Sequence, residues 1–328
     1  MGVKGFLIFD FRFLISDWRL TGLGGPSSAG RFSSFTRFTN MKSVSVFILA
    51  LITQLVSPAH GAEPFFFIQL SDPQFGMFAE DKNFVQETAN HELAVATVNR
   101  LRPAFVVVTG DLINKPGDRE QIAEYLRITA KIDKSIPVYN VAGNHDVGNV
   151  PTPASLATYT NVFGPDRYSF RHGDFVGLIL NSSVIHSPTN TMKELEEQEQ
   201  WLRAELQAVR ASGARHIAVF QHHPWYLKDA GEPDDYFNIP KARREKYLAL
   251  FRESGVKHLF CGHYHRNALA RDETMEVITT GPVGKPLGPD GSGFRVVIVR
   301  DTGVEHQYYD FGKMPNLISL KPPAAKKK

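Results

Sequence analysis

The chain of 328 residues has a single cysteine, Cys261, which excludes an internal disulfide framework. The sequence also lacks a large excess of charge of one sign, because 37 Lys and Arg are balanced by 34 Asp and Glu and leave a net charge of only +3. The lysines 326–328 supply that excess alone, so no nucleic-acid partner is expected. Phosphate-binding Gly-x-x-x-x-Gly-Lys segments are missing as well. Cys261 ends an apolar run, which predicts a small buried residue rather than a nucleophile.

Long apolar runs are absent except near the N-terminus, where residues 44–56 are mostly apolar. Met41-Lys42 precedes this run and small residues follow it, which is the three-part pattern of a secretory signal. We therefore predict a signal peptide at residues 41–61 and an exported, periplasmic or secreted, protein. The run is too short for a comfortable transmembrane helix, so no stable membrane span is expected in the mature form. Residues 1–40 are predicted to be a mis-called or disordered extension; the alternative is an amphipathic membrane-anchored leader.

The rest of the chain alternates short apolar strands with amphipathic helices, which predicts one α/β domain over residues 63–315 with a pair of sheets flanked by helices. Residues 316–328 have no core pattern and are predicted to be a disordered basic tail. The predicted helices are 83–101, 119–131, 193–212 and 242–254. The predicted strands are 65–70, 104–109, 138–141, 175–181, 216–220, 258–261, 276–280, 294–299 and 304–309.

Polar side chains follow five of these strands directly. In open α/β sheets, ligands bind outside the carboxyl ends of strands, so clusters spread along the chain can converge on one crevice. Each cluster alone has an ordinary explanation as a turn, a helix cap or a satisfied histidine pair. Their joint occurrence at five strand ends favours one functional site. The clusters are Asp72-Pro73-Gln74, Gly110-Asp111, Gly143-Asn144-His145-Asp146, Gln221-His222-His223 and Gly262-His263-Tyr264-His265.

The candidate ligands combine carboxylate and amide oxygens with imidazole nitrogens and include no thiolate. Such a set suits manganese, iron or zinc better than calcium, and it is unlike a structural zinc site. Six ligands exceed what one open catalytic ion needs but suit two ions that share a carboxylate. The sequence thus predicts a dinuclear site. Its candidate ligands are Asp72, Asp111, Asn144, His222, His263 and His265.

In combination, these motifs resemble the calcineurin-like metallophosphoesterases over about residues 65–310. The resemblance implies two packed mixed sheets and metal-dependent hydrolysis of phosphoesters by a metal-bridging hydroxide. It implies that Asp111 bridges two metal ions, with Asp72, Gln74 and His265 at the first and Asn144, His222 and His263 at the second. It further implies that His145 contacts the phosphate or protonates the leaving group, and that Asp146 orients its ring. The branch of this family that has the same residues in these motifs acts as a serine/threonine phosphatase. This resemblance implies phosphoserine, phosphothreonine or small phosphomonoester substrates.

Several points stay open at the level of sequence. Gln74 occupies the position where the wider family has histidine, which predicts weaker binding of the first ion. His223 is the alternative ligand to His222. The same site would also suit a phosphodiesterase or nucleotidase, and a non-catalytic metal-binding module is the alternative from another class.

Overall fold

The computed structural model describes residues 63–272 and 274–321, and within them two mixed β-sheets lie face to face with helices outside. The five-stranded sheet has the order β11-β10-β1-β2-β3 and the six-stranded sheet the order β4-β5-β6-β7-β9-β8. This confirms the predicted α/β architecture of two packed mixed sheets. The strands are β1 Phe65–Leu70, β2 Val106–Val108, β3 Val138–Asn140, β4 Tyr168–His172, β5 Phe175–Ile179, β6 His216–Phe220, β7 His258–Cys261, β8 Ala268–Arg271, β9 Glu276–Thr279, β10 Gly293–Arg300 and β11 Gly303–Asp310.

The helices connect the strands and cover the outer faces of the sheets. Four of them match predicted helices to within two residues at each end. The shorter α3 and α5 and the helix α4 were not predicted, because their turns begin inside segments rich in Gly, Pro, Asn and Ser. The helices are α1 Val85–Leu101, α2 Arg119–Thr129, α3 Asn144–Val147, α4 Pro153–Phe163, α5 Ser182–His186, α6 Met192–Ala211 and α7 Lys241–Glu253.

All nine predicted strands are present, and the two strands that the sequence did not reveal are edge strands. β4 and β8 each pair with one neighbour and leave most of their side chains outside the core. A strand that buries so little has no continuous apolar run to signal it. The central strands behave oppositely: β2 is Val-Val-Val, fully buried, because both of its faces are covered.

An aromatic layer fills the space between the two sheets. Phe67 of β1 lies 4.8 Å from Phe105, centroid to centroid, and 5.7 Å from Phe220 of the other sheet. Phe260 of β7 lies 5.5 Å from the same Phe67 ring. Such tilted and offset rings contribute beyond their buried area. The sheets are thereby held in fixed register, with the carboxyl ends of β1, β2, β6 and β7 at one edge.

Towards that edge the interface between the sheets becomes polar. The Gln69 Nε2 of β1 donates to Thr109 Oγ1 at 3.1 Å and to the Cys261 carbonyl of the opposite sheet at 3.0 Å. The hydroxyl of Thr280 donates to Gln69 Oε1 at 2.7 Å, and Arg295 Nε donates to that hydroxyl at 2.7 Å. Every residue in this series of hydrogen bonds is buried, so each depends on its neighbours in the series for its hydrogen bonds.

The C-terminal part of the described chain differs from the predicted tail. Ile318 and Leu320 pack against the hydrophobic core, and Arg100 donates to the Asn316 carbonyl at 2.9 Å. Residues 316–321, which the sequence placed in the tail, therefore contact the folded domain at these three residues. The remaining predicted tail, residues 322–328, and the predicted signal peptide and extension lie outside the described residues. Among the helices described, none has the length and apolarity to cross a membrane.

Candidate metal centre

The candidate ligands lie on tight turns that leave the strands abruptly. Asp72 follows β1, Asp111 follows β2, and His263 and His265 follow β7. Five of these turn residues adopt the left-handed backbone conformation that side chains normally avoid, at a cost of about 1 kcal/mol or more each. Such strain persists where the surrounding structure requires it, and it concentrates at functional sites. Their φ angles are 47° at Asp72, 40° at Gln74, 49° at Asp111, 67° at His263 and 52° at His265.

One group of ligand atoms gathers around the His222 ring, which is fully buried. His222 Nε2 lies 3.1 Å from Asp111 Oδ2, 3.0 Å from Asn144 Oδ1 and 3.1 Å from His263 Nδ1. A carboxylate, an amide oxygen and two imidazoles, drawn from four separate loops, therefore meet at one point. This is the set that the resemblance implies for the second ion.

A second group shares Asp111 with the first. Ligand atoms of Asp72, Asp111 and His265 lie within 4.8 Å of one another, as do those of Asp111, His222 and His263. His265 Nε2 is 3.4 Å from Asp72 Oδ1. Asp111 is the one residue common to both groups, which is the position that a bridging carboxylate must have.

The four histidines of the site are oriented in the same way. One ring nitrogen of each lies within hydrogen-bond distance of a backbone carbonyl, and because a carbonyl can only accept, that nitrogen carries the proton. The other nitrogen of His222, His263 and His265 then faces another candidate ligand, which is how second partners orient imidazoles for a metal ion. The pairs are His222 Nδ1 with Thr109 O at 2.8 Å, His263 Nε2 with Tyr236 O at 3.0 Å, His265 Nδ1 with Lys285 O at 2.6 Å and His145 Nδ1 with Asn114 O at 2.6 Å.

Gln74 is buried two residues from Asp72, a member of the Asp72, Asp111 and His265 group, and only one end of its amide has a hydrogen-bond partner. Nε2 donates to Asn114 Oδ1 at 3.1 Å, whereas the buried Oε1 has no hydrogen-bond partner among the described residues. An orphaned acceptor in a buried position is costly, and a cation is one group that would satisfy it. Its backbone amide also donates to the Asp111 carbonyl at 2.9 Å, which ties the first loop to the second.

The electrostatics of the site favour added positive charge. Burial alone would lower the pKa of His222, but attraction to Asp111 and Asp72 outweighs it and raises the pKa to about 9. A bound cation would balance the same carboxylates, because protons and metal ions compete for these ligands. Together with the imidazole nitrogens that face other ligands and the Gln74 oxygen without a partner, this attraction for positive charge indicates that the residues fit two ions held by oxygen and nitrogen.

His145 lies at the edge of this cluster, and the predicted role of Asp146 is wrong. The His145 amide donates to Asp111 Oδ1 at 2.8 Å, and its ring is oriented by Asn114. The Asp146 carboxylate instead accepts the backbone amides of Leu112, Ile113 and Gly143, at 2.9, 3.2 and 2.8 Å. Asp146 is buried beneath the loops, so it holds the Asp111 and His145 loops together rather than touching the imidazole.

Of the two adjacent histidines, His222 enters the ligand cluster, whereas His223 packs beside it with its ring centroid 4.4 Å from that of His263. His223 Nδ1 lies 2.9 Å from Ser182 Oγ, and its ring stacks on His186 at 4.6 Å. Burial, followed by repulsion from neighbouring histidines, holds the pKa of His223 well below its usual value. The geometry thus favours His222 as the ligand, in line with the sequence-based choice.

Close packing explains two of the glycines in the motifs. A Cβ added at Gly143 would lie 2.2 Å from the Asp111 backbone nitrogen and from Asp111 Oδ1. A Cβ added at Gly262 would lie 2.1 Å from Ser71 Oγ and 2.6 Å from Asp72 Oδ2. The ligand loops can approach each other only because these side chains are missing.

Three residues of the site were not found from the sequence. Asn114 holds both Gln74 and His145, Tyr236 contacts Asn144 and His263, and the Ser71 hydroxyl bonds to Asp72 Oδ2. Ser71 carried a weak signal as the neighbour of a candidate ligand. Asn114 and Tyr236 carried none, because their contacts join distant parts of the chain.

Two ligand groups joined by one carboxylate, with a histidine alongside, define a metal-dependent hydrolase of the two-sheet α/β type. The family model for the calcineurin-like phosphoesterases matches residues 67–267. The serine/threonine-protein phosphatase CPPED1 of Bos taurus is 37% identical over 266 residues, covering 76% of this chain and 85% of that protein. The Homo sapiens protein of that name is 36% identical over 267 residues, covering 76% and 85%. This chain belongs to the calcineurin-like phosphoesterase family and is a phosphoesterase.

Solved structures with the same architecture include a dimetal phosphatase from Danio rerio, with a TM-score of 0.52 and 18% identity, covering 75% of this chain and 99% of that one. GAP50, the anchor in the inner membrane complex of Plasmodium, has a TM-score of 0.56 and 16% identity, covering 75% and 84%. At these identities the likeness shows the fold alone.

Proposed function

We propose that the protein is a phosphatase that hydrolyses phosphomonoesters, with phosphoserine, phosphothreonine or a small phosphomonoester as substrate. The observation that carries the proposal is the sharing of Asp111 between two ligand groups, with His145 attached to the same carboxylate through its backbone amide. The serine/threonine phosphatase relatives support the choice of substrate class.

The donor set supports manganese, iron or zinc in both positions. Asp72, Gln74, His265 and the shared Asp111 would hold the first ion; Asn144, His222 and His263 would hold the second with Asp111. When bound, the two ions would supply a Lewis-acid clamp for the phosphoryl group and lower the pKa of the attacking water.

His145 is the proton donor in this proposal. Its Nδ1–H is committed to the Asn114 carbonyl, so proton exchange with substrate falls to Nε2. As the imidazolium, His145 gives that proton to the leaving oxygen as the phosphorus–oxygen bond breaks, and this kind of step contributes about 10²–10⁴-fold to a rate. The Asn114 carbonyl opposite Nδ1 stabilises the imidazolium and fixes the ring.

The acidic loop between β6 and α7 bears on the substrate. Three of its four carboxylates accept backbone amides nearby: Glu232 from Leu227 and Lys228, Asp234 from Lys241, and Asp229 from Gly231. These carboxylates therefore shape the loop whose residue Tyr236 contacts His263, and we propose that their negative charge disfavours highly anionic substrates such as nucleoside polyphosphates.

The test is hydrolysis of p-nitrophenyl phosphate and of its bis ester by protein reconstituted with manganese, iron or zinc. Wild type should hydrolyse the monoester, and His145→Ala should lose about 10²–10⁴-fold in kcat while it keeps its bound metal. Turnover of the bis ester alone would indicate a phosphodiesterase. Metal binding without turnover of either ester would indicate a binding module.

We also propose that the mature protein is exported after cleavage near Ala62. The short basic start, apolar stretch and small-residue ending at residues 41–61 support this. Sequencing the N-terminus of the protein purified from its source tests it. A mature start near Ala62 would support export, and a start at Met1 would contradict it.

A further inference from the structure

Tyr236 lies against the ligand group around His222 although it belongs to no motif. Its ring centroid is 4.8 Å from that of His263, and its backbone carbonyl accepts His263 Nε2–H at 3.0 Å. Its hydroxyl oxygen is 3.2 Å from Asn144 Nδ2. Tyr236 thus touches two candidate metal ligands, while 49% of the residue remains exposed to solvent.

The hydrogen-bond roles at this hydroxyl follow from its partner. The Asn144 amide nitrogen can only donate, so the Tyr236 oxygen is the acceptor of that bond. The second proton of the same amide goes to Asn149 Oδ1 at 2.8 Å, which directs Asn144 Oδ1 towards His222. The hydroxyl proton of Tyr236 is left without an acceptor within hydrogen-bond distance among residues 63–272 and 274–321.

The loop that carries Tyr236 is held firmly by a buried guanidinium. Arg244 of α7 is fully buried and donates to the carbonyls of Ala230, Glu232 and Ile239, at 2.9, 2.9 and 3.1 Å. Asn238 donates to Glu232 Oε1 at 2.7 Å and closes the same loop. Tyr236 is therefore positioned before substrate arrives, which lowers the entropy lost on binding.

We propose that the Tyr236 hydroxyl donates a hydrogen bond to a phosphoryl oxygen of the substrate. Tyr236 would then be a second protein group, beside His145, that contacts the substrate. This inference rests on the proposed phosphatase function and deepens it. A hydroxyl that donates to an anionic oxygen forms one of the stronger hydrogen bonds available in a protein. A phosphomonoester has three terminal oxygens and a diester only two, so a site with two ions and a further donor favours the monoester.

The test compares Tyr236→Phe with wild type. Phenylalanine keeps the ring on His263 and removes only the hydroxyl. We expect the affinity of the metal-loaded protein for inorganic phosphate, measured by calorimetry, to fall about ten- to a hundredfold, because a charge-assisted hydrogen bond is lost. The monoester rate should fall by a similar factor and the bis-ester rate by less. Metal affinity should stay within about twofold, since the ligand atoms are unchanged.

Tyr309→Phe is the matched control, since it removes a hydroxyl from a half-buried tyrosine of β11, outside the ligand loops. It should bind phosphate as wild type does. A parallel loss of metal affinity in Tyr236→Phe would overturn the proposal, because the hydroxyl would then act only by orienting Asn144. Unchanged phosphate affinity would also overturn it. If wild type hydrolyses neither ester but Tyr236→Phe still binds phosphate more weakly, the phosphatase function fails and the donor role stands.

Discussion

The side-chain nitrogen of Gln74 donates a hydrogen bond to Asn114 Oδ1 over 3.1 Å, and this bond determines how the glutamine amide is turned. Its oxygen is consequently the buried atom without a partner. Asn114 holds His145 through its backbone carbonyl, so a single residue orients groups on both sides of the site.

Gln74→His should tighten the binding of the first metal ion, because imidazole is a better donor to transition metals than a neutral amide oxygen. Gln74→Ala should weaken it. Competition titrations with a chromogenic chelator, which resolve the two binding steps, provide the measurement. The second step should be the same in all three proteins and acts as an internal control. Overlapping curves for the first step would mean that Gln74 does not contact the metal.

Asp146→Asn should destabilise the fold by about 1–3 kcal/mol. Its carboxylate accepts hydrogen bonds from three backbone amides. In asparagine, one of the two oxygens is replaced by an NH₂ group, which would face at least one of these backbone N–H groups without an acceptor. Urea unfolding monitored by circular dichroism measures the change. Asp118→Asn at the N-terminus of α2 is the control, because asparagine caps a helix about as well as aspartate. Equal stabilities of wild type and Asp146→Asn would show that these hydrogen bonds contribute nothing.

The metal-free protein should lose stability as the pH falls from about 6.5 towards 4. His91 is buried against Tyr125, and burial lowers its pKa to about 4. The unfolded chain therefore binds a proton at a higher pH than the folded chain does, and the stability present above pH 6.5 is lost through this window. His91 alone accounts for up to about 3 kcal/mol.

His91→Gln should therefore show a shallower decline of the free energy of unfolding between about pH 7 and pH 4.5 than wild type. His172→Gln, on the exposed strand β4, should change the slope less. Chemical denaturation at several pH values provides the data. Identical slopes in His91→Gln and wild type would show that His91 is not a source of the acid sensitivity.

Arg244→Lys should loosen the loop between β6 and α7 without unfolding the protein. Lysine keeps the positive charge but cannot reach three carbonyls from one planar group. Amide hydrogen exchange across residues 228–240 should accelerate about tenfold or more, and KM for the monoester should rise. Arg243→Lys, on the same helix, is the control. Unchanged exchange in Arg244→Lys would mean that other contacts hold the loop.

The structure brings the strand-end clusters together, because local pattern and topology agree there. The continuous apolar runs that mark β1, β2, β6 and β7 also determine where each strand ends at the edge of its sheet. The polar residues that follow these strands therefore lie close together. The choice of His222 over His223 rested only on the resemblance, whereas the structure supplies a physical reason in the contact of His223 with Ser182.

The partners of side chains were predicted less well than their positions. Asp146 was expected to orient His145, yet the Asn114 carbonyl does so, and Asn114 follows Asp111 by three residues in a stretch with no distinctive pattern. The contact of Tyr236 with Asn144 joins parts of the chain 92 residues apart, and nothing local in the sequence specifies such a pairing. Loops that approach from separate strands are arranged by the whole fold, not by their own composition.

The polar chain at the interface of the sheets has a consequence for how the site opens. Thr109 Oγ1 lies 2.8 Å from Ser71 Oγ, and Ser71 bonds to Asp72. The series of hydrogen bonds that begins at Arg295 therefore ends at a candidate ligand, Asp72. Separating the sheets would break several buried hydrogen bonds, each costing about 1–3 kcal/mol to leave unmade. Rocking of one sheet against the other is therefore disfavoured as a gate. We therefore expect substrate to enter and leave by movement of the surface loops, above a pair of sheets that keeps the candidate ligands in place.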